Sequence, residues 1–152
     1  MNTNPFTKWL LAPLLVLAGC TNEMPVDSEP CFPGFEAGWI RMGPTAMPMM
    51  GGFGRIENSC AEDVAVVAAS SAHFADVSLH RTISEDGMSR MRPVPRLEVK
   101  SGTAAVLEPG GLHLMLMQPR APLQAGDTVS VTLTLEDGRE LPAELVVRAN
   151  AP

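Results

Sequence analysis

The stretch Thr128-Val-Ser-Val-Thr-Leu-Thr-Leu135 alternates small polar and apolar residues without a break. A two-residue period puts successive side chains on opposite faces of an extended chain, so this segment is a strand with one face on a core and one in water. Glu136-Asp137-Gly138-Arg139 follows, with Asp-Gly at its centre, and then a second apolar run, Glu140–Arg148. Asp-Gly between two such runs marks a hairpin. Elsewhere the chain repeats this grammar in short pieces: Gly38–Met42, Gly52–Asn58, Val64–Ala69, Asp76–Thr82, Ser89–Val94, Ala104–Leu107 and Leu112–Gln118, separated by Gly, Pro, Asn and Asp. No segment sustains a 3.6-residue period over a helical length. Many short strands at close spacing predict an all-β sandwich or barrel. The 152 residues leave room for one such domain, expected over 36–152.

The first 35 residues have another character. Lys8 is the only charged side chain before residue 23, and it precedes the apolar run Trp9–Leu17, too short for a membrane span but of signal-peptide shape. The run ends in Leu17-Ala18-Gly19-Cys20, which resembles the bacterial lipobox, so residues 1–19 are expected to be removed and Cys20 to carry lipid. Residues 20–35, mixing Pro, acids and small residues, read as a tether between lipid and domain. Thr21 follows the cysteine in place of the Asp that in enteric bacteria favours the inner membrane, which is consistent with a periplasmic domain on the outer membrane.

The formal charge of −6 argues against a nucleic-acid partner, which needs a basic surface. The chain has ten methionines and no tyrosine, and methionine is both a gap-filler and a soft metal ligand. Starting from His80, ten residues intervene before Met91, twenty-one more before His113, and one more before Met115. Alone, a methionine in a strand is ordinarily core, and a histidine on an apolar strand ordinarily a hydrogen-bonded packing residue. The joint pattern His-x10-Met-x21-His-x-Met, together with Glu108-Pro-Gly-Gly-Leu-His113-Leu-Met-Leu-Met117, resembles the PCu(A)C family of periplasmic copper chaperones over about residues 38–148.

That resemblance implies a cupredoxin-like Greek-key β-sandwich, one Cu(I) per domain held by His80, Met91, His113 and Met115, and delivery toward the CuA centre of cytochrome c oxidase subunit II or an intermediate chaperone. The donor types suit the ion: Cu(I) is soft, accepts thioether sulfur and imidazole nitrogen, and needs no carboxylate. In Leu112–Gln118 the two-residue step places His113, Met115 and Met117 on one face and Leu112, Leu114 and Leu116 on the other. Met117 is expected to pack. The chain departs from the family in having Arg81 directly after the first histidine and in lacking a Met/His-rich tail. Instead it carries Met42, Met47, Met49 and Met50 close together, either turn-and-core packing or an auxiliary Cu(I) patch. His73 reads as a solvated loop residue.

Cys31 and Cys60, exported to a compartment that permits disulfides, are expected to bridge, with a copper-thiolate role as the alternative. Arg81, Arg90, Arg92 and Arg96 are expected to form either a basic rim around the copper or a solvated face. A blue-copper electron carrier is excluded, because no cysteine lies near His113. No Ser/His/acid set or open metal site with a catalytic carboxylate points to an enzyme. Sequestration for copper tolerance uses the same ligands as delivery and is the second functional reading.

Overall fold

The computed structural model describes residues 30–43 and 48–149, and these form ten strands and no helix. They are β1 (Gly34–Arg41), β2 (Met49–Asn58), β3 (Val64–Ser70), β4 (Phe74–Glu85), β5 (Met88–Pro93), β6 (Leu97–Val99), β7 (Thr103–Leu107), β8 (Leu112–Pro119), β9 (Thr128–Leu135) and β10 (Glu140–Arg148). The signal segment, Cys20, most of the tether and Met47 lie outside the described residues.

Seven strands run β4-β8-β2-β1-β10-β9-β3, and the single Ala69↔Val77 pairing between β3 and β4 closes them into a flattened barrel. β5, β6 and β7 extend it on β4, β3 and β2. Among the described residues only β1 and β10 pair in parallel, through Trp39↔Val146 to Arg41↔Arg148. The expected all-β, cupredoxin-like class is the observed one. β9 and β10 follow their alternation residue by residue: Leu141↔Leu133, Ala143↔Val131 and Leu145↔Val129 all point inward and are buried. Gly138, at φ 87°, takes the left-handed turn position that a side chain disfavours. The core also takes Ile40, Ile56, Val66, Leu79, Leu114 and Leu116.

The folded unit begins earlier than residue 36. Cys31 and Cys60 are joined by a disulfide with Cα atoms 5.6 Å apart, and β1 already pairs with β2 at Gly34↔Glu57 and Phe35↔Ile56. Residues 31–35 of the segment read as tether are therefore part of the domain, held by a cross-link and a ladder. Buried Asn58 fixes the turn beside the disulfide, donating to the Glu62 and Val99 carbonyls and accepting from the Cys60 amide.

Candidate metal centre

The site is built on the outer face of three neighbouring strands, β5-β4-β8. β4 and β8 are antiparallel, with His80 directly opposite His113, Ser78 opposite Met115 and Asp76 opposite Met117. The residues between these, Val77, Leu79, Leu114 and Leu116, face the core. On the other flank of β4, β5 sets Met91 opposite Thr82, one same-face step beyond His80. Asp86 and Gly87, at φ 52° and 76°, form the tight left-handed turn that fixes this register. Directly opposed side chains in such a ladder have Cβ atoms about 4.5–5.5 Å apart and diagonal ones about 7–8 Å. His80 thus stands between the other three, opposite His113, diagonal to Met91 on β5 and diagonal to Met115 on β8, although 34 residues intervene between His80 and Met115 in sequence.

The two imidazoles lie with ring centroids 6.2 Å apart and planes inclined at 33°. His113 is buried, and its Nδ1 lies 3.0 Å from the Gly111 carbonyl oxygen, which can only accept. Nδ1 therefore carries the proton, and Nε2 keeps its lone pair. His80 Nε2 lies 3.2 Å from the Ser78 hydroxyl, while His80 Nδ1 is the one buried side-chain N or O among the described residues without a hydrogen-bond partner. A buried nitrogen left unpartnered costs about 1–3 kcal/mol unless something binds it. Burial, and then the neighbouring His113, hold the His80 pKa below its ordinary value, against an opposing pull from Asp76. The ring is consequently neutral at pH 7, the form that ligates metal. Met115 is half-buried, and Met91 is 55% exposed on the outermost strand.

Among the described residues, no three His, Cys, Asp or Glu side chains come together as a metal site. An ion held between His80 and His113 can complete its coordination with the thioethers beside His80, a donor set that favours a soft, monovalent cation over hard divalent ones.

One wall of the site was not anticipated from sequence. Phe53 stands 6.4 Å from the His113 ring, Trp39 packs 4.5 Å from Phe53, and the Arg41 guanidinium lies over both aromatic rings at 5.7 and 5.5 Å. Phe53 lies over Gly51, the residue opposite Met115, where a side chain would collide with the ring. The alternation Trp39-Ile40-Arg41, with Ile40 fully buried, was the available signal that Trp39 and Arg41 share the outer face.

The basic rim does not form. Arg81 is opposite Leu112 and Arg92, on the face of β4 away from His80, and Arg90 and Arg92 alternate with Met91 and so point away from it. Arg90 and Arg92 both pair with Glu85, at 3.5 and 3.1 Å, and Arg96 pairs with Glu98 and Glu136 at 3.2 and 2.8 Å. The same two-residue period that puts His80 and Met91 on one face of the sheet separates them from these arginines.

Soft donors on the outer face of a cupredoxin-like barrel define a class, and comparison with known proteins narrows it. The family model described as "Putative lipoprotein LpqE-like" matches residues 35–147, and the chain belongs to this family. It is 32% identical over 143 residues to "Putative lipoprotein Lxx21020" of Leifsonia xyli, covering 89% of this chain and 84% of that protein. In fold it is similar to CuI-DR1885 of Deinococcus radiodurans, at 26% identity and a TM-score of 0.64, over 82% of this chain and 84% of that one. It is similar also to the copper-bound PCuAC domain of PmoF2, at 19% identity and a TM-score of 0.63, over 76% of this chain and 92% of that one. The resemblance to PCu(A)C domains thus extends from the motif to the fold.

Proposed function

We propose that this protein is a Cu(I) chaperone of the bacterial envelope, anchored by lipid on Cys20 and holding one Cu(I) with His80, Met91, His113 and Met115. The observation that carries the reading is the facing pair His80 and His113: one ring is fixed by Gly111 with Nε2 free, the other leaves a buried nitrogen unpartnered, and the Met91 and Met115 thioethers lie diagonal to His80 on the same face. The copper-bound state of two proteins of similar fold supports the choice of ion, and the lipoprotein descriptions of the family and its Leifsonia member support the anchor.

Delivery is favoured over sequestration by the exposure of Met91. A ligand on a solvent-facing edge strand can be exchanged for an acceptor's ligand without unfolding the site, whereas a store is served better by burial. The protein would pass copper toward a CuA centre, directly or through another carrier, and would perform no bond chemistry of its own. The test is anaerobic transfer from the Cu(I)-loaded chain to an apo CuA domain, with the acceptor then separated and oxidised by one electron with ferricyanide so that the assembled mixed-valence centre is read by its absorption. Retention of Cu(I) by the donor at excess acceptor would count for sequestration.

A further inference from the structure

The methionines on β8 and its neighbours are sorted by face. Inward, β8 uses only leucine, at Leu112, Leu114 and Leu116; outward, it uses His113, Met115 and Met117. The methionine-rich segment before β2 divides in the same way. Met42 and Met50 pack against the core, as the packing alternative expected, but Met49 faces outward, directly opposite Met117 in the β2–β8 ladder. Met115 stands one same-face step from Met117, and all three are half-buried. On the other flank of β8, Met117 is opposite the exposed carboxylate of Asp76. Opposed Cβ atoms about 5 Å apart, each bearing a thioether on a side chain with three rotatable bonds, allow two sulfurs to converge on one ion. If packing alone were required here, branched aliphatic residues would serve on this face as they do on the other.

We infer that Met49 and Met117 form a second, weaker Cu(I) station that relays the ion through Met115 into the His80–His113 centre. The inference rests on the proposed function for the identity of the ion and for the centre that the relay fills. Each relay step is ligand exchange: one copper–sulfur bond forms as another breaks, the copper stays monovalent, and no proton moves because thioethers carry none. Asp76 offsets the positive charge at the entry point.

Methionine methyl carbons, isotopically labelled in the full chain held in detergent micelles, report each site separately when Cu(I) is titrated under anaerobic reducing conditions. The expected result is that Met91 and Met115 methyls move with the first equivalent, and Met49 and Met117 move together with the second. Met42 and Met50, facing the core, should stay still. Met49→Leu should abolish the second event at Met117 while leaving the first event intact, and should slow loading of the first site. Still Met49 and Met117 methyls at excess Cu(I), or a Met117 response that survives Met49→Leu, would overturn the station. A response at Met49 and Met117 with none at Met91 and Met115 would leave a copper site at Met49 and Met117 but overturn its relay through Met115, and would remove the ligand set assigned to the main centre.

Discussion

Met88 and Met91 are both 55% exposed and lie on the same edge strand, three residues apart and therefore on opposite faces. This gives a matched experiment. Replacing either with leucine conserves volume and apolarity, a change that costs under about 1.5 kcal/mol even in a core and less at a half-exposed site. The two variants should unfold within about 1 °C of the parent when metal-free, since an unperturbing surface change stays near zero in stability. Their copper affinities should differ. Leucine has no lone pair, so Met91→Leu removes one of the four proposed donors, whereas Met88→Leu removes none. Losing an outer-shell partner alone typically costs about 10–100-fold in metal affinity, and loss of a ligand should cost at least that much. The lower bound corresponds to about 1.4 kcal/mol. Met115→Leu should behave like Met91→Leu, and Met117→Leu like Met88→Leu at the first equivalent. Competition against a Cu(I) chelator under reducing conditions measures all four. Equal affinities for Met91→Leu, Met88→Leu and the parent would refute the ligand assignment, and so would an equal loss in both variants.

Burial and His113 lower the pKa of His80, so the unfolded chain takes up a proton there at a higher pH than the folded chain does. Metal-free stability should therefore be complete above about pH 6.5 and decline as pH falls through that value toward the lower folded pKa; His80→Gln should flatten this part of a urea-midpoint profile, and an unchanged slope would count against it. Leu116, fully buried behind Met115 and Met117, should cost about 2–5 kcal/mol when cut to alanine, measured by denaturant unfolding. Breaking the Cys31–Cys60 bridge with Cys60→Ser should lower stability by about 3.5 kcal/mol in the chain-entropy model while leaving Cu(I) affinity intact; a loss of affinity would revive the thiolate alternative. Cys20→Ser should release the chain from membranes on fractionation, and retention there would sink the lipid anchor.

Much of the fold was legible because alternation is a local signal. Thr128–Leu135 and Glu140–Arg148 have the boundaries expected of them, and β10 alternates exposed and buried at every position. Leu97–Val99 escaped notice because three residues between Arg96 and Lys100 are too few to show a period. Gly34–Arg41 was expected to start at Gly38, since a bulge between Glu36 and Trp39, with Ala37 at φ 51°, breaks the alternation that marks a strand. The neighbourhood of the four proposed ligands came from a motif, not from local pattern. Asp86-Gly87, a hairpin signal left unused, would have indicated that Met91 folds back beside Thr82 and His80. Alternation along Arg90-Met91-Arg92 would likewise have shown that the arginines turn away from the face that carries Met91. Phe53 and Trp39 were not legible as a wall, because cross-strand registers join residues that nothing in the linear sequence relates.

The position of the disulfide constrains what a lipid-anchored form of this protein can reach. Cys60 lies seven residues beyond Phe53, which flanks His113, so the described chain emerges about 20 Å along the sheet from the proposed copper centre. Because Cys31 is tied to Cys60, only the ten residues between Cys20 and Cys31 are left to span from lipid to domain, at most about 35 Å when fully extended. That is shorter than a tether running to residue 35 would allow. With the anchor in one membrane, the centre works within about 60 Å of that membrane's surface. An acceptor in the same membrane is within reach; one in the opposite membrane is served only through a diffusing carrier. The exposed edge strand β5 suits either partner of the proposed handover: Met91 is displayed at the rim of the sheet and would be displaced first, while His113, buried and fixed by Gly111, would hold the ion until the acceptor's own ligands closed on it.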